Sequence, residues 1–171
     1  MSTTDSASSM SRGTQTTKWA TISTICFVYF FVAVVVAHLI RPDLSLTTNF
    51  ISEYVLGVNG LVMTAALLVF GIGILIFTAG LRQSLVAPTY ARIGLVLLVI
   101  GGIAMLFVGV FPVEIQTTPE YLTMSGPIHD LAALIFFVST VAGIVLVSFG
   151  FRNDVQWSRH SVSEVILAMI V

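Results

Sequence analysis

The chain has 171 residues, of which 57% are hydrophobic and only 9% charged, and its mean hydropathy is +1.04. A water-soluble domain averages about 25% charged residues, so this chain lacks the polar surface that solution requires. Seven basic against eight acidic residues exclude electrostatic capture of nucleic acid, and the single cysteine, Cys26, excludes an intrachain disulfide framework or a Cys-based zinc motif.

Taken in order, residues 1–18 are rich in Ser and Thr without apolar periodicity, which predicts a disordered cytoplasmic tail. Four stretches free of Asp, Glu, Lys and Arg follow, at 19–40, 54–81, 93–113 and 131–151. Each meets the requirement of about 20 residues for a helix crossing a hydrocarbon core. They are continuous apolar runs, such as Leu95-Val96-Leu97-Leu98-Val99-Ile100, without the period of two of a barrel strand. The expected fold is all-α: a polytopic transmembrane bundle, one domain over 19–171, with helices near 19–40, 56–81, 92–111 and 128–151. A fifth helix is expected at 161–171, where Ser161 and Glu164 form a capping-box pattern ahead of an apolar run to the last residue. Eleven helical residues reach roughly 16 Å, about half a hydrocarbon thickness. The expectation is therefore four complete helices and the start of a fifth, in a chain truncated at its C-terminus.

Orientation follows from the cations. Arg12, Lys18, Arg82, Arg92, Arg152 and Arg159 fall on one side and only Arg41 on the other. The positive-inside rule then puts the N-terminus in the cytoplasm of a plasma-membrane protein. The acids Asp43, Glu53, Glu114, Glu120 and Asp130 gather at the outer end. In the third helix, Gly94, Gly101, Gly102 and Gly109 recur at intervals of seven or eight, which predicts one small-residue face for association with another helix.

Within the spans no Asp, Glu, Lys or Arg supplies a path for charge, which disfavours pumps, voltage sensors and ion-coupled transporters. Chemistry-bearing residues sit at the outer helix ends: His38, Arg41, Asn49, Ser52, Glu53, Glu114, His129 and Asp130. All lie near one membrane depth, so helix packing is expected to bring His38, Glu53, Glu114, His129 and Asp130 together. Asn49, Ser52 and Glu53 also suit a cap on the second helix. Phe111-Pro112 suits the end of the third, with Glu114 a solvated interfacial acid beyond it. His129 lies just inside the fourth helix, a depth where ionisable groups tend to be functional. Tyr54 fits the interfacial aromatic belt.

Three stretches resemble the family known as domain of unknown function 998: Asn-x-Ile-Ser-Glu-Tyr at 49–54, Gly-x-Phe-Pro-x-acid at 109–114, and the His129 that opens the fourth helix. The resemblance runs from about Trp19 onward, with Glu114 where Asp is more usual. It implies a prokaryotic integral membrane protein, typically of six helices, and no reaction.

Four functions stay open at this level. An outer-face cluster of Asn49, Ser52, Glu53, Glu114 and His129 would bind a membrane lipid headgroup or small ligand, with His38, Arg41 and Asp130 as further candidates. A metal-dependent interfacial hydrolase would place zinc on His129, Glu53 and Glu114, or use Ser52 as nucleophile, although no short ligand spacing supports it. A haem between His38 and His129 would make an electron carrier. A structural or assembly subunit would use none of this chemistry, and whether the chain is an enzyme is not decided by the sequence.

Overall fold

Apolar sequence in a bilayer must satisfy its backbone polar groups within each segment, and a helix does so. A computed structural model describes residues 3–45, 47–57, 59–85, 87–114 and 123–151, with side chains from residue 15 onward. Among the described residues there are four α-helices, α1 Thr3–Ile40, α2 Gly60–Ser84, α3 Thr89–Val110 and α4 Ser125–Phe151, with a short 3-10 helix at Ile51–Val55 and no strand. All four are long and apolar enough to cross a membrane. The protein is a multi-pass integral membrane protein. Its outward surface is that of a lipid-facing bundle, with side chains such as Leu39 and Leu61 exposed by 75% and 84%.

Two boundaries differ most from the sequence expectation. α1 begins at Thr3, so the segment read as a disordered tail forms the first turns of the helix. Once a long apolar helix exists, each added residue extends the ladder without a new nucleus, and weak helix formers can follow. α2 begins at Gly60, four residues later than expected, because the chain breaks twice before it. Gly57 takes φ +88°, and Asn59, the N-cap of α2, takes φ 68° in the left-handed region. The fifth helix expected at 161–171 lies outside the described residues.

Close backbone contacts run between chain neighbours: α1 on α2, α2 on α3, and α3 on α4. Glycine makes these approaches possible. A Cβ on Gly94 would lie 2.8 Å from the Gly143 carbonyl oxygen, and one on Gly143 would lie 2.9 Å from the Gly94 carbonyl, so α3 and α4 cross backbone to backbone there. Gly101 also faces α4, against Thr140, whereas Gly102 and Gly109 face α2, against Leu75 and Leu68. The expected single glycine face is thus two faces. Consecutive residues 101 and 102 are separated by about 100° around the helix, so they serve different neighbours. Gly71 and Gly73 divide in the same way, toward α3 and α1.

Aromatic rings tie the row of helices together. Phe30 of α1 stacks on Phe70 of α2 at 4.3 Å between centroids, and Phe70 meets Phe136 of α4 edge-on at 6.2 Å. The buried hydroxyls behave as expected in lipid: Thr78 donates to the Ile74 carbonyl at 2.7 Å and Ser139 to the Ile135 carbonyl at 2.5 Å, each one turn back. Thr140 departs from this pattern, since its buried hydroxyl has no hydrogen-bond partner.

Candidate functional site

The α1–α2 connection folds around Arg41, Asp43, Asn49 and Glu53. Arg41 continues the last turn of α1 through its amide, which donates to the Ala37 carbonyl at 2.9 Å. Its guanidinium grips Asp43 through two nitrogens, at 2.9 and 2.7 Å, and donates to the Leu56 carbonyl on the far side of the loop. This hydrogen-bonded pairing raises the Arg41 pKa and holds the Asp43 carboxyl below its ordinary value. A Cβ on Gly57 would stand 3.1 Å from Arg41 Nη1, so the loop closes tightly where φ is already positive.

Glu53 organises the 3-10 helix from within. One carboxylate oxygen accepts from the Phe50 amide at 2.9 Å and the other from Asn49 Nδ2 at 2.7 Å. Asn49 in turn accepts from the Ser45 amide at 2.9 Å. Glu53 therefore caps the 3-10 helix at the Phe50 amide, with Asn49 bracing its carboxylate, and neither caps α2, whose own N-cap is Asn59. Ser52 is half-buried and joins none of these bonds. Tyr54, 3% exposed, packs beneath the loop with its hydroxyl 2.9 Å from His38 Nδ1. The belt assignment missed this role. The legible signal was that His38 and Tyr54 flank one short connection at the same depth.

A second polar knot closes the α3–α4 connection. Phe111 caps α3 and Pro112 ends it, as the sequence implies. Glu114 is half-buried and not merely solvated: it accepts from the Thr123 amide at 3.1 Å and from the Thr123 hydroxyl. A Cβ on Gly126 would lie 3.1 Å from this carboxylate, so Glu114 rests on the first turn of α4, where the helix dipole favours an anion. Ser125 Oγ donates to the Pro112 carbonyl at 2.9 Å. Thr123 and Ser125 were not singled out in the sequence, although hydroxyl residues just ahead of Pro127 are a helix-start signal.

His129 is the deepest member, 3% exposed. Its Nδ1 lies 2.7 Å from the Phe111 carbonyl oxygen. A carbonyl only accepts, so Nδ1 carries the proton, and in the neutral ring Nε2 bears the lone pair. Ligating and proton-transferring histidines are commonly oriented by this kind of bond. Asp130, beside it, is exposed.

The residues expected to form one cluster divide into two groups. His38, Arg41, Asn49 and Glu53 belong to the α1–α2 connection, and Glu114 and His129 to the α3–α4 connection. No hydrogen bond or ion pair among the described residues joins them. No three His, Cys, Asp or Glu side chains among the described residues converge as a metal set would, so His129, Glu53 and Glu114 do not form the zinc site considered above. His38 and His129, the candidate haem ligands, hydrogen-bond to Tyr54 and Phe111 within their own connections.

Comparison with known proteins agrees with the motif resemblance. The family model described as "Protein of unknown function (DUF998)" matches residues 24–171. No curated protein and no solved structure matches the chain.

Proposed function

The chain belongs to the DUF998 family of proteins of unknown function, and we propose that it binds a lipid headgroup or small polar ligand at the outer helix ends, through His129. One observation carries the proposal: an ionisable ring, 3% exposed and held at Nδ1 by the Phe111 carbonyl, keeps Nε2 as its second polar atom. A purely structural stitch needs only the first nitrogen. The ligand class follows from the charge at this end, where Asp43, Glu53, Glu114 and Asp130 outnumber Arg41, itself paired with Asp43. That balance favours an amine-bearing headgroup over a bare anion. Orientation is part of the proposal: the end bearing His129 faces outside the plasma membrane, supported by six basic residues against one.

A second reading applies to the other knot. Both oxygens of Glu53 are engaged inside the α1–α2 connection, which supports a structural role for that residue.

His129→Asn separates the two roles, because the Asn amide nitrogen falls near the position of Nδ1 and nothing replaces Nε2. The purified protein is melted in mild detergent with glycerophosphoethanolamine, glycerophosphocholine or inorganic phosphate. A saturating ligand at about 100 times its Kd adds about 2.7 kcal/mol, which raises the melting temperature by several degrees. The expected result is such a rise with an amine-bearing probe in the wild type, and its loss in His129→Asn with the unliganded melting point unchanged. Equal responses in both proteins, or no response to any probe, would remove His129 from function.

A further inference from the structure

Lys18, Arg82 and Arg92 close the apolar spans at one end of the bundle. A hydrocarbon core of about 30 Å is about 20 helical residues deep. Counted from each cation, that depth reaches His38 on α1, Val62 on α2 and Pro112 just past the end of α3. Three helices thus agree on one boundary plane, and the first charged residues beyond it on the chain are Arg41 and Asp43. The 3-10 helix Ile51–Val55 is fastened to this plane at two points. Tyr54 places its hydroxyl 2.9 Å from His38 Nδ1 and belongs to the same buried cluster as Met63. A Cβ on Gly60, the first residue of α2, would collide with the Val55 carbonyl. A headgroup layer is about 5–8 Å thick, and Ile51 stands one 3-10 turn, roughly 6 Å, from Tyr54. The connection therefore lies along the helix ends and does not project into water.

At the start of that 3-10 helix two large apolar side chains are left uncovered. Phe50, whose amide is fixed by Glu53, is 76% exposed, and Ile51 is 42% exposed. Exposed apolar residues flank the connection on both sides, Leu39 and Ile40 closing α1 and Leu61 and Val62 opening α2. We infer that Phe50 and Ile51 are seated in the surrounding bilayer just beneath its headgroups, which makes the α1–α2 connection a membrane-binding foot. Neither side chain carries a polar atom, so acyl chain is the partner it fits. Depth selects lipid over a soluble protein: the pair stands at the hydrocarbon boundary, among residues that continue the lipid-facing surface of the bundle. The inference depends neither on a ligand at His129 nor on which leaflet this end meets.

Nitroxide labels on Phe50→Cys and Ile51→Cys test it, in the full chain reconstituted into phosphatidylcholine vesicles. Cys26→Ser in the background removes the native thiol. The readout is the ratio of two collision rates, with oxygen, which concentrates in hydrocarbon, and with a neutral nickel chelate, which stays in water. Val28→Cys, exposed and midway between Lys18 and His38, is the mid-bilayer reference. Ser6→Cys, about 18 Å beyond Lys18 along α1, is the water reference. The expected result is an oxygen-to-nickel ratio above one at positions 50 and 51, as at position 28, and below one at position 6. Both labelled side chains are exposed, so the fold is expected to survive, checked by circular dichroism; if one label disturbs it, the other decides. A ratio below one at either position would put the pair in water. Low collision rates with both reagents would put it against protein, a second copy of the chain included. Either result overturns the inference.

Discussion

Gly94→Ala measures how tightly α3 and α4 are locked. The added Cβ would stand 2.8 Å from the Gly143 carbonyl oxygen, and ordinary contact begins at 3.4 Å, so the helices must part by about 0.6 Å at the crossing. The atom in the way is backbone, which yields only if the whole helix moves. A gap of about 0.5–1 Å forfeits a quarter to a half of each dispersion contact along the seam. Overpacking of this kind costs about 1–3 kcal/mol. Against it stands the better helix propensity of Ala, about 0.5–1 kcal/mol in water and less here, where the denatured state in detergent keeps its helices. The net expectation is a loss of about 1–2 kcal/mol. Gly143→Ala should cost as much, since its Cβ meets the Gly94 carbonyl at 2.9 Å. One separation of the helices relieves both clashes, so the double variant should fall short of additivity by about 1 kcal/mol. Reversible unfolding in mixed micelles, titrated with SDS, reads all three, with Ile93→Ala on the exposed side of α3 as a near-neutral control. A neutral Gly94→Ala, or strict additivity, would refute the backbone crossing.

The remaining expectations concern the loops and the orphaned hydroxyl. Glu53→Ala removes the acceptor of both Asn49 Nδ2 and the Phe50 amide and should cost about 1–2 kcal/mol, as lost caps do. Hydrogen exchange at the Phe50 amide should quicken about tenfold, and an unchanged rate would show that the carboxylate does not hold the 3-10 helix. Thr140→Val keeps the shape against Gly101 while deleting a buried hydroxyl that has no partner, so it should be neutral or stabilising by up to about 1 kcal/mol. Ser139→Ala, which removes a made bond, should instead destabilise, and the reverse order would contradict the assignment. Arg41→Gln should return the Asp43 carboxyl to its ordinary titration range, read by carbon-detected NMR. Because the pairing lowers the Asp43 pKa in the folded protein, its contribution is present above the unfolded value and fades as pH falls through the folded one. An Asp43 titration that does not move on substitution would remove Arg41 as the cause.

The spans were legible because continuous apolarity depends on no partner: a segment of about 20 such residues must be helical in lipid wherever its neighbours stand. Phe111-Pro112 marked the end of α3 for an equally local reason, the missing amide of proline. What sequence could not carry was neighbourhood. Four glycines at spacings of seven and eight look like one face, yet Gly101 and Gly102 are consecutive and turn to different helices. The start of α1 was hidden similarly, since Ser and Thr disfavour helix on their own and follow one that is already nucleated.

The same distinction explains the polar residues at the His129 end. Their types marked them as polar groups at one end of the helices, but common depth does not imply contact. Bonds within one connection close short loops and lose little chain entropy, so Glu53 found Asn49 and Phe50, and Glu114 found Thr123, before either could reach across the bundle. His129 stands apart from that pattern. It lies on α4 itself and reaches Phe111, eighteen residues back across a helix interface, and is buried further than a surface loop needs. Glu53 is accounted for by its loop, both oxygens engaged, whereas the bond to Phe111 accounts for only one of the two nitrogens of His129. That inequality between two residues of equal prominence in the sequence is why the functional test belongs on His129 and the stability test on Glu53.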